Sequence, residues 1–355
     1  MINSEKRTPV LVSVLVGVLI AATNSGIANA GTDSWTQANA GGASAPSARN
    51  GHALVGGDGQ YAYLFGGNNG PLSAAELWRY DHVSATWTAL PATGPAKRKF
   101  AASSFGAGNF VLFGGASGIG LNPYYNDTWS YSESAGRWTA ALKCSSGHPC
   151  PTARAGAAMA YDRLRDYHVL FGGTNYSLGV AFGDTWIYQA STRRWTLARV
   201  AGGPEAPSPR SLHGMAYVAP LGQVVMFAGV GRDLLGGNVL LADLWGWDGA
   251  RWNAVAQNNS GPALSAMGMV YDDAQARLVV FGGSTSPVIN VLTADTWMFD
   301  FINGLWTDLG PTTGLDPRNA SPMAYLPKYG VRLFACGLSD GINGTGNVND
   351  TWEGR

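Results

Sequence analysis

Charge is scarce in this chain of 355 residues: Asp, Glu, Lys and Arg make up 13%, against about 25% in an average soluble domain. The two signs also balance, 23 basic residues against 23 acidic, for a formal net charge of +0. No global field draws such a chain to nucleic acid or to an anionic bilayer, and no basic run carries interleaved aromatics. Nucleic acid is therefore excluded as an expected partner. Histidine, with five residues, and cysteine, with three, are too few for an elaborate metal centre or a disulfide framework. Beyond residue 22 no apolar run approaches the roughly 20 residues of a spanning helix, which argues against membrane insertion after removal of the N-terminus. No Ser/His/Asp or Cys/His arrangement can be argued from spacing.

Glycine and tryptophan are plentiful instead. Gly accounts for 49 residues, about twice the usual ~7%, as many tight turns with positive φ require. An aromatic residue followed by Gly-Gly or a near variant recurs six times, beginning at Phe65, Phe113, Phe171, Phe227, Phe281 and Phe334. The separations are 48, 58, 56, 54 and 53 residues, too regular for a mosaic of unrelated domains. Each triplet is followed by a loop, an Asp-Thr-Trp or close variant, and a second Trp. Twelve of the 13 tryptophans form six such pairs, leaving Trp247 over. The sixth repeat stops at Asp350-Thr351-Trp352-Glu353-Gly354-Arg355 without its second Trp, while Ser34-Trp35-Thr36 is a Trp strand without a repeat. Joining them completes a sixth unit and closes a ring that would otherwise expose a sheet edge.

A period near ~50 residues is the one associated with kelch blades. Phe65-Gly66-Gly67, Phe113-Gly114-Gly115, Phe171-Gly172-Gly173 and Phe281-Gly282-Gly283, each with its Trp pair, resemble kelch repeats. Phe227-Ala228-Gly229 and Phe334-Ala335-Cys336 depart from the pattern. The resemblance implies an all-β, six-bladed kelch-type β-propeller over residues 31–355, with four antiparallel strands per blade and the ring closed by an N-terminal strand. In the third repeat, strands a to d are expected at 155–161, 167–171, 184–188 and 194–198. A meander places the a–b and c–d turns at one end and the b–c and d–a connections at the other. The a–b turns, such as Asp162-Arg163-Leu164-Arg165-Asp166, are tight and leave little room for a site. The b–c loops are long, so function is expected on their face.

Two sets of residues on that face are candidates. The b–c loops carry Tyr124, Tyr125, Tyr176, Phe182, Leu234, Leu235, Val288 and Ile289. They either form a contact surface for a protein or carbohydrate or pack inward between blades. The second set follows proline: Pro46-x-x-Arg49, Pro95-x-x-Arg98, Pro151-x-x-Arg154 and Pro207-x-x-Arg210, with Arg318 at the corresponding place and Ser265 breaking the series in the fifth blade. Because strand a is innermost in a propeller, five guanidinium groups would surround the channel mouth. In animal kelch adaptors arginines at similar positions contact acidic peptides, so the resemblance implies an anion-accepting pocket at Arg49, Arg98, Arg154, Arg210 and Arg318. The alternative is that these arginines donate to loop carbonyls between blades. Glu76, Glu205, Asp233 and Asp340 are acids near the same face with no assigned role.

The function read from these features is a binding module for a protein, or for an acidic or carbohydrate ligand, working through the b–c and d–a loop face. The alternative is a small-sugar epimerase or mutarotase resembling the periplasmic sialic-acid epimerases, so catalysis is undecided. The chain lacks the E-x-x-x-D-x-x-x-H iron motif of the plant kelch specifier proteins. His52 and His213, three residues after Arg49 and Arg210 in opposed blades, do not supply the ligand set of kelch copper oxidases. No metal and no cofactor is expected.

Residues 1–30 read as a cleaved export signal. Lys6 and Arg7 precede 13 apolar or small residues from Val10 to Ala22, and Ala28-Asn29-Ala30 is a small-x-small cleavage pattern. A secreted or periplasmic location follows. Cys144 and Cys150, within Lys143-Cys144-Ser145-Ser146-Gly147-His148-Pro149-Cys150, suit a disulfide in an oxidising compartment. Cys336 is left as a buried thiol at a glycine position.

Overall fold

The computed structural model describes residues 34–69, 72–91, 93–118, 123–141, 143–203, 205–339 and 346–355. The expected signal over residues 1–30 and Asp340 lie outside them. The described residues form six antiparallel blades, each built on a four-stranded meander and arranged as a propeller; the sheet of blade 6 gains a fifth, two-residue strand, Arg318–Asn319, and three two-stranded hairpins lie apart from the blades. In blade 3 the strands are Ala158–Asp162, Tyr167–Phe171, Thr185–Gln189 and Arg194–Arg199. Blade 6 is assembled from both ends of the described chain. Its strands Met323–Leu326, Val331–Ser339 and Gly346–Gly354 are followed by Trp35–Asn39, with Trp35 opposite Gly354 and Gln37 opposite Trp352.

Strand b of every blade is mostly apolar and buried over at least four consecutive residues, as in Tyr-His-Val-Leu-Phe over 167–171, because both of its faces are covered by neighbouring blades. Strand d is half exposed and buries little beyond its Trp, for example Trp87 in Thr86–Leu90. There is no single core. Six apolar clusters lie one at each seam, such as Leu54, Tyr80, Ala324 and Leu333 between blades 1 and 6, or Val169, Met226 and Trp252 between blades 3 and 4.

The paired tryptophans divide their work at these seams. The second Trp of a pair reaches the Thr of the preceding blade's Asp-Thr-Trp: Trp195 Nε1 donates to Thr128 Oγ1 at 2.8 Å, Trp252 to Thr185 at 2.8 Å, Trp87 to Thr351 at 2.9 Å and Trp35 to Thr296 at 2.9 Å. Blades 1 and 4 carry Leu77 and Leu244 where the others have Thr. Trp306 accordingly donates to Gln257 instead, and the buried Trp138 N–H has no partner among the described residues. The unpaired Trp247 fills the place that Tyr80 and Tyr188 hold in their blades, packed on Trp252 at 5.5 Å.

A belt of backbone hydrogen bonds encircles the channel. Phe100 N–H donates to Gly51 C=O, Gly156 to Phe100, Leu212 to Gly156, Ala266 to Leu212, Ala320 to Ala266, and Gly51 back to Ala320, all between 2.7 and 2.9 Å. Each member lies in the left-handed region, from Ala320 at φ 48 to Gly156 at φ 67, a conformation in which the N–H and C=O can point to opposite neighbours. This bend is why strand a of blade 3 starts at Ala158 rather than at the expected residue 155. Ala155 instead pairs with Thr174 in the b–c hairpin.

The sixth triplet also needs correction. Arg318 donates to Cys336 C=O as Arg154 does to Gly172, and Gly337 N–H donates to Arg49 C=O as Gly173 does to Arg210. The unit is Ala335-Cys336-Gly337, one residue later than the aromatic at Phe334 suggests. Ala228 and Cys336 both adopt φ 63, matching Gly114 at φ 65. A small side chain is tolerated at this left-handed position at a cost of about 1 kcal/mol.

Candidate functional site

The repeated arginines turn into their own blades. The side chains of Arg49, Arg98, Arg154, Arg210 and Arg318 are buried. In blade 3, Arg154 Nη1 donates to Gly172 C=O at 3.0 Å and to Asp184 Oδ1 at 2.6 Å, Nη2 donates to Asp184 Oδ2 at 2.9 Å, and Nε to Thr152 C=O at 2.9 Å. The indole of Trp186 completes the set by donating to Asp184 Oδ2 at 2.7 Å. The same arrangement joins Arg98 with Asp127 and Trp129, Arg210 with Asp243 and Trp245, and Arg318 with Asp350 and Trp352. Blade 1 uses Glu76 in the acid's place. A planar guanidinium facing a carboxylate at both oxygens is a strong, directional pair.

Burial alone would push the Asp184 carboxyl up, yet the bonds from Arg154 and Trp186 outweigh it and hold the group below the usual carboxylate range. Asp127 and Asp243 behave alike for the same reasons. These guanidiniums are thus occupied, and none of the five arginines lines the cavity at either end of the channel. In blade 5 the arginine position is Leu264, not Ser265, since Gly229 N–H donates to Leu264 C=O as Gly173 does to Arg210. Asp295 there turns to the hydroxyl of Thr293 at 2.6 Å.

The channel has two unequal mouths. At the b–c end the hydrogen-bonded belt encloses a cavity of about 120 Å³, lined in part by Phe100, Leu212, Met267, His52 and His213. The His213 ring packs edge-on against Phe171 of blade 3, centroids 5.7 Å apart. Burial, then the nearby Arg210 charge, lowers its pKa to about 3, so it is neutral. His52 is lowered to about 3 by burial and by Arg49. Among the described residues no group of three or more His, Cys, Asp or Glu could hold a metal ion.

The a–b end is wider, about 230 Å³, against the expectation of little room at the tight turns. The belt draws the blades together at the opposite end only. Sequence reasoning missed the residues that shape this mouth: Phe105, Tyr161, Tyr217, Tyr271 and Tyr325, each seven residues after the arginine position, with Gly56 as the sixth. Counting from the arginine of each repeat would have found them. Gly56 is required, because a Cβ there would lie 2.0 Å from the Tyr325 carbonyl of the adjoining blade. At the rim Arg163 bonds Asp273 at 3.0 Å and lies over Tyr217.

On the b–c face the tyrosines part ways. Tyr125 folds inward, its ring 4.2 Å from the Arg98 guanidinium and its hydroxyl 3.0 Å from Ser117 Oγ. Phe182 covers Arg154 in the same manner at 3.8 Å. Tyr124 is half-buried, and its hydroxyl accepts the backbone N–H of Tyr176 at 3.1 Å. Tyr176 itself is exposed and lines two small clefts beside the mouth. Leu234 and Leu235, at the tip of the hairpin Val230–Arg232 and Asn238–Leu240, stand 104% and 96% exposed. Val288, Ile289 and Val291 are exposed on the blade 5 loop, and Leu178 and Val180 on that of blade 3. Half of the large hydrophobic side chains exposed among the described residues lie on these three loops. Asp233 is taken up by the hairpin turn, accepting from Leu235 and Gly237 N–H groups, and Glu205 is exposed. Cys144 and Cys150 form a disulfide, and Cys336 is a free buried thiol.

A family model described as the KLHDC2/KLHL20/DRC7 Kelch-repeats domain matches residues 23–229 and again 164–353. Among curated proteins the chain is similar to the dynein alpha chain of the flagellar outer arm of Chlamydomonas reinhardtii, 32% identical over 214 residues. That match takes in 56% of this chain and 4% of the dynein, so it concerns one small part of a much longer protein.

Proposed function

Because the chain belongs to the kelch-repeat family, whose propellers are typically protein-interaction modules, we propose that the b–c face of blades 3 to 5 docks a protein partner. The observation that carries this reading is the row of apolar loop tips around Tyr176, Leu234, Leu235, Val288 and Ile289. Apolar side chains standing out from a rigid scaffold gain by being covered, and a partner with apolar anchors would cover them. Arg232, whose guanidinium is bonded to the Gly236 carbonyl, and Asp233 lie next to the tips. The partner's contact patch is accordingly apolar rather than strongly charged.

Replacing Leu234 and Leu235 together by Asp tests this, since both side chains are solvent-exposed and the fold does not depend on them. A partner identified with the wild-type protein should bind the double variant at least about 10-fold more weakly, the loss of one or two anchor contacts. Leu221→Asp, at an exposed a–b turn, should bind as wild type does. Equal binding by all three proteins would overturn the assignment of the face.

We also infer export through residues 1–30, supported by the disulfide, which persists in oxidising compartments. Mass spectrometry of the mature protein from the producing cell should find Gly31 as its first residue. A retained N-terminus or a cytoplasmic pool with free thiols would refute it.

A further inference from the structure

The disulfide loop and the outer strand of blade 3 enclose a cleft of about 170 Å³. His148 and Cys150 stand on one side, and Arg193, Arg194 and Thr196 on the other. No acidic residue lines it. Among the described residues neither Arg193 nor Arg194 has a carboxylate partner within ion-pair distance, in contrast to the five buried blade arginines. The protein as a whole is electrically neutral, so this is a local concentration of unspent positive charge.

Both walls are built to stay in place. The loop is tied by the Cys144–Cys150 disulfide and by paired backbone bonds between Ser145 and His148, each 3.0 Å. His148 Nδ1 lies 3.3 Å from Ser145 Oγ. With that hydroxyl donating, Nε2 carries the proton and is left to donate elsewhere. On the other wall Arg193 has φ 56, at the position two residues before the outer Trp. Blades 2 and 5 put Gly136 and Gly304 there, at φ 62 and 63, and blade 1 puts Ala85 at φ 53. A long side chain in the left-handed region costs about 1 kcal/mol relative to glycine. Glycine or alanine closes the same turn in those three blades, so the turn itself does not call for an arginine.

We propose that this cleft is a binding site for a tetrahedral oxyanion, the sulfate or phosphate group of a monoester. The guanidiniums of two lining arginines offer N–H donors that match such oxygens, and the imidazole of His148 supplies a further donor from the disulfide loop. The cleft lies on the outer rim of blade 3 and is separate from the apolar b–c face, so the two readings stand or fall independently.

Methyl sulfate and methyl phosphate, titrated calorimetrically into the mature protein at low ionic strength, test the proposal. Saturable binding of at least one is expected, weakened at least about 10-fold in Arg193→Gln/Arg194→Gln, the result of losing charge-assisted contacts. Both side chains are exposed, and the variant's melting temperature should match wild type. Arg251→Gln, an exposed arginine of blade 4, should bind normally. Preference for one probe assigns the ester. A phosphate ester gains a proton near pH 6 and should then bind more weakly, whereas sulfate should not. Absence of saturable binding with both probes, or binding that survives the double arginine change, would overturn the proposal.

Discussion

Blades 3 and 5 solve the same local problem with different chemistry. Both must fasten the start of strand a to the start of strand c, where the chain bends away from the belt. Blade 3 does it with Arg154 clamped on Asp184 and Trp186. Blade 5 has the buried Leu264 in that place and lets Asp295 bond Thr293. A ring that carries both forms shows the arginine to be a latch inside the blade: an ion pair where Arg is present, apolar packing where it is not. Five copies of the latch look, in one dimension, like five copies of a ligand-binding residue. They differ in where the side chain points.

Cutting the latch in blade 3 has the largest expected effect. Arg154→Met leaves the Asp184 carboxylate with the Trp186 indole and its own backbone N–H. Removing one partner of a buried pair costs about 3–5 kcal/mol. Asp184 is 19% exposed and can recover some hydration, so the lower end, near 3 kcal/mol, is expected as a shift in the urea midpoint at constant slope. Rebuilding the blade 5 solution with Arg154→Leu and Phe182→Thr should recover part of the loss. An Arg154→Met protein as stable as wild type would remove the latch and return this arginine to the pool of ligand-facing groups.

The position three residues after the arginine separates blades 4 and 5 in a second way, His213 against Met267. Native His213 stays neutral with its pKa lowered to about 3, whereas an unfolded histidine titrates near 6.5. Below pH 6.5 unfolding therefore takes up a proton that the folded state refuses, and stability falls as the pH drops. At pH 5 the loss from one such histidine is about 2 kcal/mol. Copying blade 5 with His213→Met should shrink the difference in unfolding free energy between pH 7 and pH 5 by about that amount. His52 and His168, also lowered to about 3, would account for the part that remains. The carboxylates held low by their arginines lose their contribution only at more acid pH, so this window isolates the histidines. An unchanged pH dependence in the variant would mean that His213 is hydrated in the native state.

The fold was legible because its motif residues have few substitutes. Trp and Gly recur where an indole spans a seam or the chain turns left-handed, and their spacing survives the loops between them. Register was less legible. Phe334 drew the sixth triplet one residue early, since an aromatic happens to stand where blade 3 has Leu170. Without a Pro-x-x-Arg string, Leu264 could not be told from Ser265. The site was least legible. Spacing gives the origin of a side chain and not its direction, so it points to arginines around the mouth and does not single out the aromatic residues at the a–b end, seven positions further on. The apolar loop tips were visible, but Tyr125 and Tyr176 differ in exposure only because one meets the Arg98 guanidinium and the other projects from its hairpin.

The smallest effect compares two seams. Between blades 2 and 3 the Trp195 indole donates to Thr128 at 2.8 Å, while between blades 1 and 2 the place of that threonine is taken by Leu77, in one apolar cluster with Trp138, and the Trp138 N–H has no partner among the described residues. Thr128→Val reproduces the second seam at the first, nearly isosterically. A buried N–H left without an acceptor costs about 1–3 kcal/mol, and the methyl that replaces the hydroxyl offsets part of this by better apolar burial. The net expectation is a loss of about 1 kcal/mol in a denaturation midpoint. The reverse change, Leu77→Thr, would give Trp138 an acceptor but uncover a packed leucine, and should be no better than neutral. Both seams keep the edge-on ring contacts Phe113–Trp195 at 5.1 Å and Phe65–Trp138 at 5.4 Å. If Thr128→Val proves neutral or stabilising, those aromatic contacts hold the seams and the Thr–Trp bond contributes no net stability.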